Sequence, residues 1–192
     1  MAHLEPQGVR SAAAIYRHPI HPMLVPFPIA FLVGALVTDC AYWGTGAPFW
    51  ARFSHWLIGA GFVMGAFAAI AGLIDFLSRE RIRALSAAWM HFIGNAIAIL
   101  LTLWNLIQRT GGDPAAILPL GIILSAIVVA VFLVTGWLGG ELVFRYRIGA
   151  IEGEASQPLA QAATPGAGSG MAAPDPSYAG GRGPTSPRQT AP

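Results

Sequence analysis

The chain has 192 residues, 55% hydrophobic and only 10% charged, with a formal net charge of +2. Soluble domains carry charge on roughly a quarter of their residues, so this composition excludes an ordinary water-soluble globule. The positive charge is too small and too scattered for nucleic-acid binding, and the one cysteine, Cys40, excludes an internal disulfide and any multi-thiolate metal site.

Residues 1–17 form a short N-terminal segment, basic at Arg10 and Arg17. It lacks a charged region followed at once by an apolar run, so no cleaved signal peptide is expected. Then comes Arg17-His18-Pro19-Ile20-His21-Pro22-Met23. A residue before proline is pushed away from helix, so His18 and His21 are expected in extended backbone. About 20 apolar residues cross a bilayer core. By that measure residues 23–43 form a first span, opened by Pro26 and Pro28, and residues 44–48 a turn. The second span covers about residues 53–77. Its Gly61, Gly65, Ala68, Gly72 and Asp75 share one face, which lets a neighbouring helix or a flat cofactor approach the backbone.

Residues 78–83 make a basic connection to the third span, 85–108. Here Ala88, His91, Asn95, Ala98, Thr102 and Asn105 recur at steps of three and four, one face of a helix. A strip of small and polar groups on a greasy helix faces protein, not lipid. A polar turn from Arg109 leads to the fourth span, about 115–140, with Gly136 and Gly140 four apart. Residues 151–192 are rich in Pro, Gly and Ala and cannot bury enough surface to fold, so a disordered tail is expected. The fold expected is an all-α integral membrane protein: four transmembrane helices in an antiparallel bundle over residues 18–150, plus that tail. Arg10, Arg17, Arg79, Arg81, Arg83, Arg145 and Arg147 fall on one side of such a bundle, and only Arg52 and Arg109 on the other. The arginine-rich side faces the cytoplasm by the positive-inside rule, which places both termini and the tail there.

Asp39, Asp75 and Glu141 lie near the C-terminal ends of their helices, where the dipole disfavours a carboxylate. One expectation is local pairing. Asp75 with Arg79 and Glu141 with Arg145 are each four apart, and Asp39 could meet His55 or Arg52 across the outer turn. The other is a shared site toward the cytoplasmic leaflet. His91 is eight residues beyond Arg83, about 12 Å deeper along a continuous helix. Its partners would be Asn95, Asp75, His18 or His21. His18, His21 and His91 would supply axial ligands to a b-type haem, with Arg17, Arg79 or Arg83 holding propionates. The same histidines with Asp75 and Glu141 could instead hold a divalent metal. A hydrogen-bonded structural cluster is the third reading, with Asn95, Asp39 and His55 as further polar members; His55 sits at the opposite end. There is no Gly-x-Ser-x-Gly, no His-Glu-x-x-His and no phosphate loop, so hydrolase chemistry is not expected.

These residues also carry a resemblance. His18-Pro-Ile-His-Pro-Met-Leu-Val-Pro-Phe-Pro28, Asp39, Gly72-Leu-Ile-Asp75, His91 with Asn95, and Gly136-Trp-Leu-Gly-Gly-Glu-Leu-Val-Phe144 together resemble the bacterial membrane proteins grouped as domain-of-unknown-function family 2231. The resemblance covers about residues 17–150. It implies a four-span bacterial inner-membrane protein in which His18, His21, Asp75, His91 and Glu141 match the family's polar motif positions. Some relatives are joined to redox modules such as Rieske-type domains, which favours electron transfer. This tail lacks the Cys and His that an iron–sulfur cluster requires. Three functions therefore stand open: a redox protein carrying haem b or a metal, a non-catalytic scaffold or accessory subunit, and a carrier of a small solute, proton or metal ion. The expected partners are the lipid bilayer, a second copy in a homodimer and a redox protein, with no nucleic acid.

Overall fold

The computed structural model describes residues 9–16, 18–111 and 113–149. Backbone contacts divide the chain into Met1–Glu152 and Gly153–Pro192. The second unit, and with it most of the tail expected to be disordered, lies outside the described residues, as does Arg17.

The elements run β1 (Ala14–Ile15), β2 (His18–Pro19), α1 (Ile20–Leu24), α2 (Pro26–Thr45), α3 (Pro48–Ser78), α4 (Glu80–Arg83), α5 (Ser86–Gln108), a 3-10 turn (Pro114–Ile117) and α6 (Leu120–Phe144). Four stretches are long and apolar enough to cross a membrane: Ile20–Thr45, Pro48–Ser78, Ser86–Gln108 and Leu120–Phe144. Sequence punctuation sets their ends. Gly46 takes the left-handed conformation at φ 65° and closes α2, and Pro48 opens α3 where its missing N–H is not needed.

Helix α2 packs on α3 and α6, and α5 packs on the same two, so the spans form a square of antiparallel neighbours. Every span contributes to the central core, through Leu32 and Ala35, Ile58, Ala98 and Val128. Alanines at the centre bring the backbones close, as expected where lipid tails are as apolar as the core itself. Trp43, Trp56, Trp137 and Phe144 project outward. On a soluble protein so much exposed apolar surface would be a liability; here it is the surface presented to lipid and headgroups.

Residues 9–16 and 18–20 close one end of the square, called proximal below; the α2–α3 and α5–α6 connections form the distal end. Proximally, Phe76, Ile82, Ala88 and Leu142 make a second core under Val9 and Ile148, and Val9 is bridged to Ile148. Two details differ from the sequence expectation. His21 lies in the first turn of α1, not in extended backbone, because Pro22 also falls in that turn and withdraws no required donor. The chain also leaves helix at Ala84 and Leu85, so α5 starts afresh at Ser86. His91 is then five residues into α5, about 7.5 Å along its axis. The Trp89 indole N–H donates to the Arg83 carbonyl at 2.9 Å, which pins this entry point.

Candidate functional site

Two polar centres are buried in the bundle, one at each end. The distal one is an ion pair. Arg109, just past the end of α5, reaches Asp39 of α2 with Nη1 to Oδ1 at 2.7 Å and Nη2 to Oδ2 at 2.9 Å. Its other donors go to Asn105 Oδ1 at 2.9 Å, Ser54 Oγ at 2.9 Å and Ser125 Oγ at 3.4 Å. All five guanidinium N–H groups are therefore used. Ser54 and Ser125 also donate to Asp39, at 2.5 and 2.7 Å. Asp39 and Ser54 are fully buried and Arg109 is 4% exposed. The sequence paired Asp39 with His55 or Arg52 and left Arg109 in a solvated turn. Arg109 takes the place of both, its fork meeting the two carboxylate oxygens at once. No signal in the sequence links these two residues, although the buried face of α5 does lead to Asn105 and on to Arg109.

The proximal centre is a pair of histidines. In α1, His21 Nδ1–H donates to the Ala68 carbonyl of α3 at 2.7 Å. In α5, His91 Nδ1–H donates to the Thr135 carbonyl of α6 at 2.8 Å. A carbonyl can only accept, so Nδ1 carries a proton in both rings, and in the neutral imidazole the lone pair is then on Nε2. Among the described residues no hydrogen bond engages either Nε2. Glycine makes room for each ring. A Cβ at Gly72 would lie 2.9 Å from His21 Nδ1, and one at Gly139 would lie 3.0 Å from His91 Cε1. The ring centroids are 6.1 Å apart, with planes at 87°. Beneath them lies a cavity of about 70 Å³ whose lining includes both histidines, Asn95, Thr102, Phe132 and Thr135. Asn95 is held by its own helix, donating to the His91 carbonyl at 2.7 Å, and accepts from Thr135 at 3.4 Å.

The remaining groups expected at this site are placed elsewhere. His18 is exposed on β2. Asp75 does not pair with Arg79; its carboxylate accepts from Ser11 Oγ at 2.7 and 2.8 Å, the Ala12 amide at 2.6 Å and the Ala13 amide at 2.9 Å. It thus anchors the N-terminal segment as a strap. Ala68, Gly72 and Asp75 are successive positions on one face of α3, so that face holds both the His21 ring and the strap that delivers it. Glu141 pairs with Arg145 at 2.6 Å on the surface, and that hydrogen bond holds the Arg145 guanidinium above the usual arginine pKa. Arg79 is exposed, and Arg83 donates to the Phe76 and Leu77 carbonyls, capping the C-terminal end of α3. His55 Nδ1 is buried near the distal end without a hydrogen-bond partner among the described residues. No group of three or more His, Cys, Asp or Glu side chains suited to a metal forms among the described residues.

The cavity at the histidine pair is too small for a porphyrin. Pockets for cofactor-sized molecules run to roughly 300–1,000 Å³, against about 70 Å³ here. Of the arginines expected to hold propionates, Arg79 is exposed and Arg83 is turned to the end of α3, while Arg17 is outside the described residues.

No curated protein and no solved structure matches the chain. A family model described as "Predicted membrane protein (DUF2231)" matches residues 17–152, a stretch that takes in all four spans and both buried centres. With that match over most of its length, the chain belongs to the DUF2231 family of predicted multi-pass membrane proteins.

Proposed function

We propose that this membrane protein holds one transition-metal cation between the Nε2 atoms of His21 and His91. The observation that carries the reading is the matched pair of Nδ1–H bonds to main-chain carbonyls. Such bonds fix the tautomer and orientation of metal-ligating histidines and make the opposite nitrogen more basic. The spacing supports it too. Two imidazoles sharing a cation at about 2.0–2.1 Å keep their centroids within roughly 6.4 Å, and these lie 6.1 Å apart. The rest of the chain builds the support: α3 and α6 present the carbonyls, glycines admit the rings, and the Asp75 strap sets the position of α1.

We place the site toward the cytoplasmic face of a bacterial inner membrane. The arginine asymmetry supports this orientation, and it sharpens once Arg109 is withdrawn from the distal surface into its ion pair.

The test is metal analysis of the full-length protein purified in detergent, with His21→Asn and His91→Asn beside it. Asparagine Nδ2 replaces imidazole Nδ1, so the carbonyl bond survives while the ligand nitrogen is lost. One bound cation per chain, released by either substitution, is the expected result. Wild-type protein that retains no cation after loading would leave the second reading, a non-catalytic scaffold. That reading is favoured by the distal network, which fixes all four spans in register.

A further inference from the structure

We infer that the cation is monovalent, of the copper(I) type; this rests on the histidine pair being a cation site. The ligand set is two neutral imidazole nitrogens, and among the described residues the carboxylates of Asp75, Glu141 and Asp39 are engaged elsewhere. Asp75 is occupied by the Ser11 hydroxyl and the amides of Ala12 and Ala13. Glu141 is turned to Arg145 on the surface, and Asp39 is locked to Arg109 at the other end of the bundle. Asn95 adds no charge: its amide N donates to the His91 carbonyl and its neutral oxygen accepts from Thr135.

Charge decides between the cations. The cost of moving an ion into a low-dielectric interior rises with the square of its charge, so a dication costs four times as much as a monocation of equal radius. A dication also seeks more donors. Zinc takes four ligands and calcium six to eight, and both draw on anionic groups or waters. The cavity under the rings is walled largely by apolar side chains such as Phe132 and Leu32, which supply no anionic donor. A monovalent d10 ion is satisfied by two nitrogens in line, and its single charge is the smallest uncompensated load a metal can bring here. Imidazole also lies within the range of ligands that copper accepts. Silver(I) has the same charge and coordination habit without redox chemistry, so it serves as the probe.

The experiment uses the full chain in lipid nanodiscs, titrated with silver(I), with copper(I) under anaerobic conditions, and with zinc(II). One silver(I) or copper(I) per chain is expected, with zinc(II) weaker by more than about 100-fold. X-ray absorption of the copper(I) form should show two nitrogen scatterers, a readout that needs no variant to fold. His21→Asn and His91→Asn should each weaken silver(I) binding by more than about 100-fold, since even outer-shell partners are worth about 10–100-fold. Zinc(II) binding as tight as silver(I) overturns the monovalent assignment and leaves the cation site standing. Failure of every cation to bind overturns both. Silver(I) retained by a doubly substituted His21→Asn, His91→Asn protein also overturns both.

Discussion

Arg109 closes on Asp39 in a two-pronged ion pair spanning 70 positions of sequence, with side chains 3% and 0% exposed. Removing one member of a buried pair leaves an uncompensated charge, which costs about 3–5 kcal/mol. Arg109→Ala should lower unfolding stability by that amount in mixed detergent–denaturant titration. The double change Asp39→Leu, Arg109→Met removes both charges and should cost less than Arg109→Ala alone. If the double variant is the less stable, the desolvation account of this pair is wrong.

Gly121 guards the same pair. A Cβ there would sit 2.7 Å from Arg109 Nη2 and 2.8 Å from the Ala116 carbonyl. The guanidinium is fixed by its five bonds and the carbonyl belongs to the backbone, so neither can yield cheaply. Gly121→Ala should destabilise by about 1–3 kcal/mol, the usual range for overpacking. Gly44→Ala, where nothing lies within 4 Å, is the control for helix propensity and should not destabilise. Thermal unfolding of the two variants side by side tests the contrast.

Asp75 holds the strap through bonds to a charged acceptor, each worth about 1.5–3 kcal/mol when buried and less toward the surface. Asp75→Ala should speed amide hydrogen exchange at Ala12 and Ala13 by roughly tenfold or more, while the α5 amides keep their protection. Unchanged exchange over residues 11–20 would refute the anchoring role. Because the strap leads directly into α1, the same variant should also weaken cation retention at His21 without removing it.

Glu141→Gln provides the opposite case. Its partner Arg145 has a side chain 71% exposed, and exposed pairs contribute about 0–1 kcal/mol. The substitution should shift stability by less than about 0.5 kcal/mol. A large loss would mean that Glu141 serves a role beyond its surface pair.

The four-span bundle was legible in the sequence, because length and apolar run are enough to define a spanning helix. So was the inward face of α5: Ala88, Ala98, Thr102 and Asn105 are buried, and the small and polar residues left no other choice. The Glu141–Arg145 pair followed from i,i+4 spacing alone. What could not be read was every contact made between distant segments. Arg109 sits at a helix end, where an arginine is ordinarily solvated, and its burial depends on Asp39 arriving from another span. Asp75 binds mainly backbone amides, which leave no mark in a sequence. The His21–His91 juxtaposition fell between these cases. Both residues stood out by type, but only the packing of α1 on α3 and of α5 on α6 brings their rings together.

The Arg109 fork touches side chains from all four spans within a single guanidinium and its neighbours. One cation thus sets the register of four helices at the distal pole, and the proximal pole is closed by different means, the Asp75 strap and the main-chain bonds of the two imidazoles.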